Sequence, residues 1–472
     1  MKWKHLPTVF AMAAFATTLT AAEPAVPAIP AAPQIDMTAK PDAVRAKEVA
    51  DMKWGMFICW SFSTFSGVEW TRTPHGPDFF KATDCDTDQW CKTAKEAGMG
   101  YILFLTKHHD GFCLWDTKTT ELKVTNSPLK RDVLAELRKS CDKYGIKLAI
   151  YFSEGDWTWP QVVDGKPCKG GSQPEIKKAQ LKELLTNYGP IEYIWFDHAQ
   201  GIGGLSHAET DKWVAQFQPN CLPGYNHGTP GGRIRLGEMG HPSALNDVSG
   251  SGYNKHAAGY KGYIAAEFTY PILPAHQGGA MWFYSLPKHD NLCLPAEKLY
   301  KDYLGAVKFG NIFSIDVGPN YQGKLREIDV KTLETVGKYI KGEVKLTLPV
   351  PVKAATASGI WDKDYAADKA CDNDHGTRWG APKDARSGWL EIDLGKPGKI
   401  ASALIDEAGF DRIRKFEIQA KAGDAWTTIA TGTTLGNGKK ITFAQPAQAQ
   451  VFRLNILEAT EVPTIGEFQL FE

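Results

Sequence analysis

The 472-residue chain lacks an excess of either charge, since 54 Lys plus Arg balance 54 Asp plus Glu. A neutral chain of this size has no global electrostatic reason to bind nucleic acid or an anionic membrane. It has no C-x-x-C pair and no clustered histidines, which argues against a zinc centre. No apolar run reaches 18 residues, so no stretch is long enough to span a bilayer. No internal repeat is visible. With 43% hydrophobic and 23% charged residues, wholesale disorder, collagen and coiled coil are excluded. The nine cysteines are spread along the chain and read mostly as small buried apolar residues, with Cys85 and Cys91 close enough to pair.

What is present begins with an export signal. Lys2, Lys4 and His5 precede an uncharged apolar run, Leu6 to Leu19, and Thr20-Ala21-Ala22 supplies small residues for cleavage before Glu23. No Cys lies near that point to carry a lipid. The expected product is exported, periplasmic or secreted, without a membrane anchor. Residues 1–22 are then a signal peptide and 23–40 an Ala/Pro-rich linker.

From 41 to 345, short apolar runs recur: 55–62, 100–107, 146–153, 191–198, 220–227, 263–270, 279–285 and 311–318. Several lack polar alternation, as strands buried on both faces should. The segments 87–98, 130–145 and 174–189 between them read as helices. This alternation predicts an α/β fold, a (β/α)8-like barrel, irregular near strands six and seven, where the gap is too short for a helix. A connector, 346–352, leads to residues 353–472, whose short alternating runs split by Gly, Asp and Asn predict an antiparallel β-sandwich.

Reactive groups of a barrel sit at the C-terminal ends of its strands. Those ends carry Glu69-Trp70, His108-His109-Asp110, Tyr151, Asp156-Trp157, Trp195-Phe196-Asp197-His198, Asn226-His227, Arg233, Glu238 and Glu267. Carboxylates, paired imidazoles and tryptophans on one rim suit a sugar site: acids for chemistry, His and Arg for hydroxyls, aromatic rings for the apolar face. Trp60 and Trp90 read as core, and Lys107 as structural.

The segments DMKWGMFICWSFSTFSGVEW, KHHDGFCLW and YIWFDH resemble the α-L-fucosidases of glycoside hydrolase family 29 over residues 41–320. The segment from Arg233 to Gly240, together with TFSGVEW, resembles the subfamily that cleaves α-1,3/4-linked fucose. The resemblance implies a retaining, exo-acting hydrolase of fucosylated oligosaccharides or glycoproteins that needs no cofactor for catalysis. Asp197 would be the nucleophile and Glu238 the acid/base, with Glu267 the alternative acid. The fucose contacts it implies are Glu69, Trp70, His108, His109, Tyr151, Trp195 and Arg233. Cys59 stands where the family usually has a hydroxyl-binding His, and His198 where Gly often follows the nucleophile. The Arg233–Gly240 segment also lacks the family's usual Trp and Asn. His227 could replace the contact missing at Cys59. Two other readings stay open: a fucose-binding, lectin-like protein without catalysis, and a glycosidase of a related sugar such as an α-L-galactoside.

The C-terminal region resembles a discoidin-like domain of the carbohydrate-binding module family 32 type, on residues 355–381 and 464–472. That resemblance implies a structural Ca²⁺, for which Asp372, Asp374, Thr377 and Glu467 are the oxygen-bearing candidates. Asn373 stands where Gly is usual, and a metal-free Asx-rich turn is the alternative. Trp361 and Trp379 are either glycan platforms or core.

Overall fold

The computed structural model describes residue 1 and residues 34–472, apart from 73, 160, 164–165, 169–172, 199–203, 228–229, 246–247, 249–258, 375 and 437. The expected signal peptide and most of the linker lie outside the described residues. The end of the linker is tied down: the Asn220 side-chain amide donates to the carbonyls of Asp36 and Thr38, and Lys40 N–H donates back to Asn220 Oδ1.

Eight parallel strands form the barrel: β1 (Trp54–Ile58), β2 (Tyr101–Lys107), β3 (Lys147–Ser153), β4 (Tyr193–Asp197), β5 (Leu222–Tyr225), β6 (Ile234–Glu238), β7 (Ala265–Pro271) and β8 (Ile312–Val317). Neighbours in sequence are neighbours in the sheet from β1 to β5 and from β6 through β8 back to β1. The row therefore has one seam, between β5 and β6. There the Arg233 N–H donates to the Pro223 carbonyl at 2.7 Å. Strands β1, β2, β4, β7 and β8 are buried at every residue, because helices cover the outside and side chains fill the inside. The covering helices include α1 (Thr87–Glu96), α2 (Val133–Tyr144) and α3 (Pro174–Asn187), in the segments expected. Asp86 and Asp132 cap the first two by accepting backbone N–H groups three residues on.

Two expectations are corrected. The run 279–285 is not a strand; it is a loop whose aromatic side chains turn towards the barrel mouth. The missing strand is β6, whose sequence IRLGE looks polar although its first four residues are buried. The short gap expected to be irregular, 271–278, follows β7 and leads into the 279–285 loop instead of joining two strands.

The C-terminal strands pack as an antiparallel sandwich around a separate core that includes Trp379, Leu390, Ile418, Phe452 and Phe468. Runs that read as separate strands are continuous: Gly388–Asp406 and Lys439–Ala459 are long strands that bend at register shifts. Eight cysteines are free thiols, and the sulfur facing Cys91, at 3.8 Å, belongs to Cys141 rather than Cys85. No helix among the described residues is long and apolar enough to cross a membrane.

Candidate active site

The strand ends surround a cavity of about 130 Å³, small for a ligand pocket and suited to one sugar ring rather than an extended chain. Phe57, Leu105, Trp195, Trp282 and Phe283 give it an apolar wall; Glu69, His108, His109, Tyr151, Asp197, Asn226, His227 and Glu238 supply polar groups.

Asp197 closes β4 and is held on both oxygens. Oδ2 accepts the Tyr151 hydroxyl at 2.6 Å, with His109 Nε2 at 3.5 Å. Oδ1 lies 2.9 Å from each of His227 Nδ1, the Asn226 side-chain amide and the His198 N–H. Burial opposes its ionisation, but the hydrogen bond and charge of His227 outweigh that and hold the carboxyl well below its ordinary range. His227 is raised in return, as Asp197 outweighs its burial. His109 is itself oriented by Ser153, whose Oγ is 2.6 Å from Nδ1.

Glu238 ends β6, across the seam. Burial, then the neighbouring Asp197 charge, push its carboxyl above the ordinary range. Its Oε2 accepts from the same Asn226 amide nitrogen at 2.9 Å. One carboxyl is thus poised as the anion and the other as the acid, the division of labour that glycoside hydrolysis needs.

The expected sugar contacts sort clearly. His108 and His109 both line the pocket, because β2 ends at Lys107 and they lie beyond strand alternation. Burial lowers His108 to about 3, so its ring is neutral, and its Nδ1 has no hydrogen-bond partner. Trp195 Nε1 is likewise buried without a partner. Unpaired polar atoms in a pocket wall suit a hydroxyl-bearing ligand. Glu69 lines the pocket, anchored by the N–H groups of Met281 and Trp282. Trp70 stands at the mouth, 52% exposed. Cys59 also faces the pocket, beside the buried carboxyl of Asp316, which burial pushes well above its ordinary range.

Arg233 is a correction. It precedes β6 at the strand's far end and pairs with Asp42 at 2.5 Å, outside the pocket. Glu267 is another. Its register partner is Leu236, two residues below Glu238, which leaves it in the barrel interior near Tyr101, Tyr193 and Ser314. Trp60, Trp90 and Lys107 are core, as expected, with Lys107 paired to Asp156 at 2.9 Å.

Sequence reasoning missed the size of the imidazole cluster. His198 takes φ +50° and stacks on His109 at 3.9 Å. Gly155 makes room for it, since a Cβ there would come within 2.6 Å of His198 Nδ1. Phe57 was also overlooked; its place between Gly55 and Cys59 on an inward-alternating strand was the available signal.

In the sandwich, Thr377 Oγ1 has more acceptors than one proton can serve. The carbonyls of Lys369 and Asp374 lie at 3.1 Å, and the Asp372 oxygens at 2.9 and 3.0 Å. Asp374 Oδ1 instead accepts the Gly376 N–H. Glu467 is buried with both oxygens lacking a hydrogen-bond partner, and burial with the nearby Asp372 pushes it up to about 8. No group of three or more His, Cys, Asp or Glu ligands occurs among the described residues. The donor set here is mixed, carbonyl, hydroxyl and carboxylate, which fits a hard cation such as Ca²⁺. Trp379 is core and Trp361 is 49% exposed.

A parallel barrel whose ring-sized pocket holds one carboxyl pulled below its ordinary range and a second pushed above it has the arrangement of a glycoside hydrolase. The family model for α-L-fucosidase matches residues 32–344, so the chain belongs to the α-L-fucosidases of glycoside hydrolase family 29; a model for the F5/8 type C domain, which is discoidin-like, matches residues 354–468. Alpha-L-fucosidase 1 of Arabidopsis thaliana is 26% identical over 88% of this chain and 84% of its own length. The plasma alpha-L-fucosidase of Homo sapiens is 24% identical over 61% of this chain and 66% of its own. A Ruminococcus gnavus GH29 fucosidase solved in complex with fucose shares the fold, with TM-score 0.52, 23% identity and coverage of 93% of this chain and 96% of that one. A putative alpha-L-fucosidase from Bacteroides thetaiotaomicron has TM-score 0.52 at 23% identity, covering 93% and 98%.

Proposed function

We propose that the protein is an exported, exo-acting, retaining α-L-fucosidase that removes terminal α-1,3/1,4-linked fucose from glycans. The observation that carries this is the Asn226 amide, whose one nitrogen lies 2.9 Å from both Asp197 Oδ1 and Glu238 Oε2. The two hydrogens of an amide point about 120° apart, so acceptors at that distance stand about 5 Å from each other. That is the spacing of a retaining pair, about 5–5.5 Å, and short of the roughly 6.5–9.5 Å that an inverting pair needs for its water.

In the proposed reaction Asp197 attacks the anomeric carbon while Glu238 protonates the departing oxygen. A covalent fucosyl-enzyme results. Glu238, now ionised, takes a proton from water, which attacks the same carbon and releases Asp197. His108, His109, Tyr151, Glu69 and Trp195 hold the ring hydroxyls, and the apolar wall receives the C5 methyl group. The α-1,3/4 preference rests on the resemblance of the segment that contributes Glu238. A Ca²⁺ bound by Asp372, Thr377, Glu467 and the adjoining carbonyls would brace the sandwich, away from the chemistry. Hydrolysis of an aryl α-L-fucoside followed by NMR tests the reading: α-fucose should be the first anomer formed. β-Fucose first would make the enzyme inverting. Fucose binding without turnover would favour the lectin reading that Cys59 motivates.

A further inference from the structure

Just outside the pocket, Arg72 lies between two indole rings. Its guanidinium carbon is 4.8 Å from the ring centroid of Trp157 and 5.7 Å from that of Trp70. Both rings belong to the site. Trp70 lines the mouth. Trp157 packs on His109 with centroids 5.2 Å apart, and its N–H donates to the His109 carbonyl at 2.8 Å. The positive charge is felt in the pocket wall, where, after burial and His227, it helps lower His198 against the pull of Asp197.

Arg72 is exposed, and no carboxylate among the described residues pairs with it. That sets it apart from Arg45, Arg131, Arg138, Arg326 and Arg453, each of which has an acidic partner. Stacking on indoles fixes a guanidinium by its faces and leaves the N–H groups on its edge free. Those edges present a fork that matches carboxylate or sulfate oxygens. The pocket beneath carries the carboxyls of Glu69, Asp197 and Glu238 and, on the fucosidase reading, takes the neutral fucose ring. An unpaired cation at the mouth has no role towards that ring and faces the part of the substrate that leaves.

We propose that Arg72 recognises an anionic group, a carboxylate or a sulfate ester, on the saccharide to which the fucose is attached. This rests on the fucosidase reading and names its leaving-group class. The Trp70–Arg72–Trp157 stack is an aglycone subsite, and the favoured substrates are acidic fucosylated glycans.

The test begins with the wild-type enzyme on an aryl α-L-fucoside, which carries no second sugar. Absence of cleavage there would remove the fucosidase reading, and the inference with it. Given cleavage, kcat/KM is measured on three matched glycans: a neutral fucosylated trisaccharide, the same core carrying a sialic acid, and the same core carrying a sulfate ester. At least one acidic form should be preferred by several-fold to about tenfold at low ionic strength. The preference should shrink in about 1 M salt, where the Debye length is about 3 Å. Which acidic form leads identifies the source of the charge. The ratio of acidic to neutral kcat/KM should fall to about one in Arg72→Ala and to an intermediate value in Arg72→Lys, which keeps the charge but loses the fork. Using a ratio cancels any change in folded fraction. A wild-type ratio of one, or an unchanged ratio in Arg72→Ala, would overturn the proposal.

Discussion

Asp197 and Glu238 share a single donor, the side-chain amide of Asn226, 2.9 Å from an oxygen of each. The bond lowers the Glu238 carboxyl against the upward push of burial and of Asp197. Replacing Asn226 by Ala should therefore move the alkaline limb of kcat/KM to higher pH, because Glu238 keeps its proton longer. The rate at the optimum should fall by about tenfold or more as the pair loses its spacer. A pH–rate profile of Asn226→Ala checks both; an alkaline limb shifted to lower pH would contradict the assigned bond.

Asp197→Ala should fold normally and lose nearly all turnover, since no covalent intermediate can form. Added azide should restore cleavage of an activated aryl fucoside and yield the β-fucosyl azide. Wild-type kcat in this variant would end the assignment.

Glu238→Ala should cripple substrates with basic leaving oxygens far more than activated aryl fucosides, because protonation matters most where departure is hardest. The alkaline limb should flatten as well. Glu267→Ala should instead act through stability, given its place among buried side chains of the barrel interior. A leaving-group-dependent loss in Glu267→Ala and none in Glu238→Ala would exchange the two roles.

Cys59 faces the pocket, beside the buried carboxyl of Asp316. A thiol is a weak partner for a hydroxyl, and one good neutral hydrogen bond contributes about 0.5–1.5 kcal/mol. Cys59→His should tighten binding of a fucose-like iminosugar by several-fold to tenfold, with Asp316 fixing the new ring. Calorimetry on both proteins measures it, and equal affinities would reduce Cys59 to packing.

Glu467 is raised to about 8 when folded, from an ordinary carboxyl value near 4.5. A raised folded value stabilises the fold below the unfolded value, and that contribution is lost as pH rises through about 8. Without added calcium, the sandwich should lose thermal stability from about pH 4.5 towards pH 8. Calcium should raise Tm more at pH 8 than at pH 5, since the cation takes the place of the proton. Glu467→Gln should weaken both effects. Identical Tm with calcium and with chelator at pH 8 would remove the cation from the account.

Much of the site could be read from the sequence, because strand ends in a parallel barrel announce themselves. Asp197 follows an apolar run directly, and the adjacent histidines follow another. Arg233 was misplaced because five residues along a strand cover about 16 Å, so a residue close to Glu238 in the chain stands at the other end of the barrel. Strand β6 is hard to read from the sequence because its buried Arg235 and its Gly237 break the apolar pattern. The run 279–285 was taken for a strand because residues that line a sugar pocket are as apolar as residues that pair in a sheet. Arg72 carried no signal at all: only folding brings Trp157, 85 positions away, to its other face.

The seam between β5 and β6 bears on stereochemistry. Asp197 and Asn226 belong to one side of it and Glu238 to the other, and the two margins are bridged by the Arg233–Pro223 backbone bond and by the Asn226 amide reaching Glu238. The distance between acid and nucleophile is thus set where the wall is least continuous. Retaining and inverting enzymes differ in this distance by about the breadth of one water molecule. A small shift of β6 against β5 would therefore carry the protein from one stereochemical outcome to the other, with every reacting group still in place.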